Sequence, residues 1–185
     1  RKGTGPCHAL KGDNRYHAIM GGKACFAVCP SDMAIALTAL NARFKIAGPE
    51  RDRDVRVKDA YNTLGSVLEP DEFLAEIHIP QSPKGAKQTF IKFTLRKPVD
   101  FAIVSVASVI RVEKDVCKDA TIALGAVAPT PIRAIDAEEL LKGRVIDAKT
   151  AERAAEAAVS GAKPMSMNVY KIEITKTLVK EAILS

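Results

Sequence analysis

The spacing of apolar and polar positions changes along this chain, and each change marks an element. In Thr89–Leu95, Phe90, Ile91, Phe93 and Leu95 are set against Lys92 and Thr94, which predicts a strand. Phe101–Val112 and Ala120–Val127 are apolar and β-branched and predict two more strands, joined by connections short enough for an antiparallel meander. Gly125 marks close packing or a bulge, and Pro129 and Pro131 carry the chain off the sheet. Upstream, Ala24–Val28 reads as a short buried strand stopped by Pro30. Ser31 or Asp32 then caps a helix to about Asn41 whose apolar side is Met33, Ala36, Leu37 and Leu40.

Phe44 and Ile46 alternate with Arg43 and Lys45, so 42–47 is a strand. The turn Gly48-Pro49 follows, then a hairpin strand at Asp54–Val57, a helical turn within Val57–Leu64, and a strand at Phe73–Ile79 ended by Pro80. The Gly-rich residues 1–15, with Gly3, Gly5 and Gly12, read as loop. Gln81–Gln88, rich in Pro, Gly and Lys, reads as a linker or long hairpin loop, and the boundary between two subdomains, 1–83 and 84–185, falls there. The C-terminal part carries helices at Asp136–Leu141, at Ala148–Val159 and at Tyr170–Leu184, the last with Ile174, Leu178 and Ile183 inward. This is an α+β pattern: three antiparallel strands packed with helices after a first, smaller unit.

Composition narrows the function classes. Hydrophobic residues at 47% and charged residues at 27% are ordinary for a folded chain, and no apolar run is long enough for a membrane span. The net charge of +6 is spread among 22 acidic residues, and aromatics are 5%, so neither a basic block nor stacking platforms argue for nucleic acid. That excess suits an acidic partner subunit or a phosphate-bearing ligand. The chain opens on Arg-Lys-Gly-Thr-Gly without a signal-peptide succession, which reads as a fragment of a cytoplasmic protein. Cys7, Cys25, Cys29 and Cys117 lack a second zinc-spaced pair; in a reducing compartment they read as buried thiols.

The candidate chemistry lies in Tyr16–Leu40. Gly21-Gly22 can turn with positive φ and let a backbone approach a ligand closely. The helix start at Ser31-Asp32 gathers N–H groups that suit a phosphate, ribose or ribityl chain, and it reads equally as a helix cap alone.

Four segments in order, YHAIMGGKACFAVCPSDMAIALTALNA at 16–42, LEPDEFLAEIHIP at 68–80, FIKFTLRKPVDFAIVSVA at 90–107 and IALGAVAPTPIRAIDAEELLKG at 122–143, together resemble the FAD-binding medium subunit of the molybdenum hydroxylases, the family of xanthine dehydrogenase, carbon monoxide dehydrogenase and 4-hydroxybenzoyl-CoA reductase. The resemblance implies an electron-transfer flavoprotein subunit, active within a complex with an iron–sulfur small subunit and a molybdopterin large subunit. It implies that residues 1–83 are the latter part of a flavin-binding α/β subdomain, lacking two glycine-rich loops, and that 84–185 are the C-terminal α+β domain. By position, Ser31 and Asp32 match residues beside the ribityl and phosphate portion, Leu74 an apolar residue near the isoalloxazine, Lys92 a lysine facing the ring, and Asp100, after Arg96, an acidic position below it. The family's reductase branch carries a [4Fe–4S] insertion that Cys7 partly matches, with Cys25 as a substitute ligand; four thiolates are required and Tyr16 stands at the last position. The absent loops give an alternative, a cofactor-free docking module for the other subunits.

Overall fold

The computed structural model describes residues 6–63, 65–97 and 99–185. Gly3, Gly5 and the end of the expected helical turn at Leu64 lie outside them. A 3-10 turn at His8–Leu10 precedes an irregular loop to Ser31. Helix α1 is Asp32–Ala39, followed by strands β1 (Arg43–Ala47) and β2 (Arg53–Arg56), a 3-10 turn at Val57–Asp59, and the small hairpin β3 (Tyr61–Asn62) and β4 (Gly65–Ser66). Then come β5 (Phe73–His78), β6 (Ala86–Phe93), β7 (Val104–Glu113), β8 (Val116–Gly125) and β9 (Ile132–Arg133). Helices α2 (Ile135–Leu141), α3 (Ala148–Ala158) and α4 (Tyr170–Leu184) close the chain.

The sheets are antiparallel, as the meander pattern requires: β2-β1-β5 in the first and β6-β7-β8-β9 in the second, with β3-β4 as a separate two-stranded hairpin. The second sheet has a fourth strand that the sequence hid, because Pro129 and Pro131 flank only two residues of pairing, Arg133 with Ala123 and Ile132 with Leu124. Where β9 ends, Glu138 completes the edge of β8: its Oε1 accepts from the Ile122 N–H at 2.8 Å while Arg133 holds both carboxylate oxygens. The expected linker at 81–88 is shorter than its composition suggests. A turn with Gly85 at φ +78 leads directly into β6, with the Ala86 N–H bonded to Pro83 O.

Pleating sorts the second sheet's residues onto two faces. Val104, Val106, Ile110, Ile122 and Leu124 point toward α2, α3 and α4, and with Leu141, Ala151, Ala154, Ala155, Val179 and Ile183 they form the main core. The alanines of α3 let it approach α2 and α4 closely. The opposite face is built of small groups. Lys92, Ser105 and Gly125 are cross-strand partners in one row and Phe90, Ala107 and Ala123 in the next, and α1 lies over them through Ile35 and Ala39.

Helix α1 also packs sideways, where Leu37 joins Ala42 and Val57 beside Phe44 and Tyr61. It is therefore buried on two sides at once, and its buried residues are Ala34, Ile35, Leu37, Thr38 and Ala39. The expected stripe through Met33 is corrected: Met33 is 64% exposed. A single amphipathic stripe assumes one partner surface, whereas α1 packs both on the β6–β9 sheet and against the 3-10 turn at Val57.

Candidate functional site

The loop 16–31 is not the strand expected at Ala24–Val28. Its backbone groups bond individually rather than in a ladder: Ala18 N–H to Phe26 O, Ile19 and Met20 N–H to Val127 O, and Cys29 N–H to Ala128 O, at 2.8–3.0 Å. The loop is thus stitched to residues 126–128, just beyond β8. Within it Gly21 takes φ +64, the left-handed region where glycine is favoured. At Gly22 the space a Cβ would need is already filled, with Phe26 Cδ1 2.3 Å from that position. The close approach at Gly22 is made by the chain's own phenyl ring.

Ser31 caps α1, its Oγ accepting from the Ala34 N–H at 3.1 Å. That bond satisfies one orphan donor and fixes where the helix begins. Asp32, the first helical residue, is brought against Lys92 of β6, Nζ to Oδ2 at 2.6 Å, across 60 positions of sequence. The small-residue face explains the pairing: with Gly125, Ser105, Ala107 and Ala123 beneath it, α1 sits low enough on the sheet for the lysine to reach its first turn. The other carboxylate oxygen, Asp32 Oδ1, is buried with no hydrogen-bond partner. A carboxylate oxygen without a donor is unfavourable, while the Asp32 side chain as a whole is 41% exposed.

A cleft of about 470 Å³ lies between the loop and the β6–β7 connection, lined by Tyr16, Val28, Pro30, Leu95, Phe101 and Ile103, with Arg96 and Asp100 as its charged groups; Asp32 and Lys92 are not among its lining residues. Phe101 is 72% exposed and Leu95 62% exposed, so apolar surface is left facing the opening. The Arg96 guanidinium, 2.9 Å from Asp100, holds that carboxyl below the usual carboxylate range. An apolar slot with a charged rim suits a planar aromatic group.

Leu74 is elsewhere. It lies on β5 and lines a separate cavity of about 170 Å³ with Phe44, Ile46, Ala60, Tyr61 and Leu68. Cys25 is buried, its Sγ accepting from the Ala27 N–H at 3.5 Å, and Cys7 precedes the first 3-10 turn. Among the described residues no three His, Cys, Asp or Glu side chains gather around a common point that could hold a metal. No helix among them is long and apolar enough to cross a membrane.

Sequence reasoning missed the polar groups that hold the loop from behind. Asn14, Asn168 and Lys171 are all buried. Asn168 Nδ2 donates to His17 O at 3.1 Å, and Lys171 Nζ donates to Ala126 O at 2.5 Å and to His17 O at 3.2 Å. The only signal was indirect: Lys171 stands where the helical spacing of Ile174 and Leu178 puts the inward face.

Residues 89–185 match the family described as the CO dehydrogenase flavoprotein C-terminal domain, and residues 11–82 match the FAD binding domain in molybdopterin dehydrogenase. The aldehyde oxidoreductase FAD-binding subunit PaoB of Escherichia coli is 33% identical over 180 residues, which is 92% of this chain and 52% of that protein. The carbon monoxide dehydrogenase medium chain of Afipia carboxidovorans is 32% identical over 153 residues, 82% of this chain and 53% of that protein. The chain thus spans about half the length of these relatives. Among solved structures, quinoline 2-oxidoreductase from Pseudomonas putida 86 superposes with a TM-score of 0.76 at 28% identity, covering 90% of this chain and 63% of that one.

Proposed function

The chain belongs to the CO dehydrogenase flavoprotein family, and on that premise we propose that it is the FAD-holding, electron-transferring part of a molybdenum hydroxylase, working beside an iron–sulfur small subunit and a molybdopterin large subunit in the cytoplasm. The observation that carries this reading is the pairing of Asp32, at the first turn of α1, with Lys92 of β6, 2.6 Å apart across 60 positions of sequence. Bound FAD would supply the electron-transfer chemistry. This chain's own residues bind and orient it. The Asp32 carboxylate would accept from a hydroxyl of the ribityl chain, and the Ser31 cap keeps the first turn of α1 in place for it. Lys92 would place its ammonium at the edge of the site, where a cation favours negative charge on the ring. The apolar walls of the cleft exclude water from one side of the ring. Gly21 and Gly22 shape the loop above. Leu74, in its separate cavity on β5, is given no contact with the ring in this reading, and residues 1–83 and 84–185 divide the work as flavin-binding and C-terminal domains.

The test is a titration of the 185-residue chain with FAD, read by flavin absorbance and protein fluorescence. Asp32→Asn and Lys92→Met each remove one charge-assisted hydrogen bond and are expected to weaken FAD by about tenfold or more. Unchanged affinity in both variants would refute the site. A second reading, a cofactor-free docking module for the other subunits, is favoured by β5, all six of whose residues are exposed, Phe73, Leu74 and Ile77 among them. No binding of FAD by the wild-type chain would favour that reading.

A further inference from the structure

Lys171 is fully buried in α4, and the two groups its amine reaches are backbone carbonyls. A buried ammonium among uncharged acceptors is unfavourable, and burial pulls its pKa down to about 8. What the amine holds is equally unusual. Ala126 takes φ +59, a left-handed conformation that its Cβ disfavours, and its carbonyl receives the shorter of the two bonds. The left-handed turn aims the next carbonyls at the loop: Val127 O takes the Ile19 and Met20 N–H groups, Ala128 O takes that of Cys29, and the Ala126 N–H returns to Cys29 O. The second bond from Lys171 goes to His17 O in that loop.

Neighbouring asparagines seal the same junction. Asn168 bonds the carbonyls of His17 and Ala18 and accepts from the Met165 N–H, while Asn14 Oδ1 accepts from the Met167 N–H at 2.9 Å. The loop so held ends at Ser31, the cap of α1.

We propose that Lys171 is a positioning residue for the flavin site: by drawing the carbonyls of Ala126 and His17 together it locks the strained turn against the loop 16–31 and thereby sets where α1 begins relative to Lys92. This rests on the flavin reading above. Lys171 touches no part of the site itself.

The experiment uses the full chain with Lys171→Met, which keeps the apolar stem and removes the amine, and Lys171→Gln, which keeps an N–H donor and discards the charge. Amide hydrogen exchange and FAD titration are read on each. In Lys171→Met, exchange at Ile19, Met20, Cys29 and Ala126 is expected to rise about tenfold while Leu40 in the α1 cap is unchanged, and FAD binding to weaken by about tenfold. Lys171→Gln is expected to recover part of both, which mere space-filling would not give, and it carries the test should the methionine variant not fold. Adding Ala126→Gly to Lys171→Met relieves the left-handed turn and is expected to restore protection in part. Unaltered exchange in folded Lys171→Met overturns the proposal, as does faster exchange with unaltered FAD affinity. Failure of the wild-type chain to bind FAD is distinguishable, since it overturns the flavin reading and the positioning role built on it even where the exchange results show that Lys171 holds the loop.

Discussion

Gly125→Ala is the substitution through which the packing of α1 can be tested most directly. A Cβ at this position would lie 2.2 Å from Ser105 Oγ and 2.5 Å from Ile35 Cγ1. Both neighbours are about 1% exposed, one locked in the middle of the sheet and the other in the helix above it, so neither can withdraw into solvent. One added methyl must therefore lift α1 or force a rotamer, and overpacking of this kind costs about 1–3 kcal/mol, here toward about 3 because two contacts are violated together. With a urea m-value of about 2 kcal/mol/M, the unfolding midpoint should fall by about 1.5 M at unchanged m. Ser105→Ala removes the nearer obstruction, so the double variant should recover about 1 kcal/mol relative to additivity. A midpoint within about 0.25 M of wild type would refute the argument that the glycine exists to seat α1. Because Asp32 begins that helix, the same lift should separate it from Lys92 and weaken FAD in parallel.

Two further predictions concern buried charge. Lys171 has its pKa lowered from 10.5 to about 8 on folding, so between those values the unfolded chain binds more protons and stability rises with pH. The wild type should gain up to about 3 kcal/mol relative to Lys171→Met between pH 8 and 10.5, the effects of the tyrosines cancelling in the difference; equal pH slopes in urea titrations would contradict it. Glu138→Ala strips the Ile122 N–H and Arg133 of their shared partner in a buried position and should destabilise by about 3 kcal/mol, with Glu138→Gln losing less; thermal and urea unfolding decide it.

What the sequence disclosed was set by local rules, and what it hid was set by distant ones. Helix α4 runs over Tyr170–Leu184 as its spacing predicts, and Ser31 caps α1, because periodicity and capping are decided within a few residues. Gly125 was legible as a close-packing site, though not its partner. Strand β9 was hidden by prolines and by having only two residues, and Ala24–Val28 reads as a strand yet spends its backbone bonds on a distant turn. The resemblance named Asp32 and Lys92 separately, and their ion pair was not foreshadowed, since nothing local links positions 60 apart. Asn14, Asn168 and Lys171 were illegible for a different reason: polar residues read as surface until the structure shows acceptors waiting for them inside.

The seating of the loop by α4 has a consequence for the order of events during synthesis. Asn14 finds Ser166 across 152 residues, and His17 finds Lys171 across 154. At about 5–20 residues per second on the ribosome, the amino-terminal loop must wait roughly 8–30 seconds after emerging before the segment that anchors it exists. For that interval the His17 carbonyl lacks the Lys171 amine and Asn14 lacks Ser166. The loop is therefore among the last parts to close, and it is the stretch that a chaperone would have to shield while the sheets are already forming.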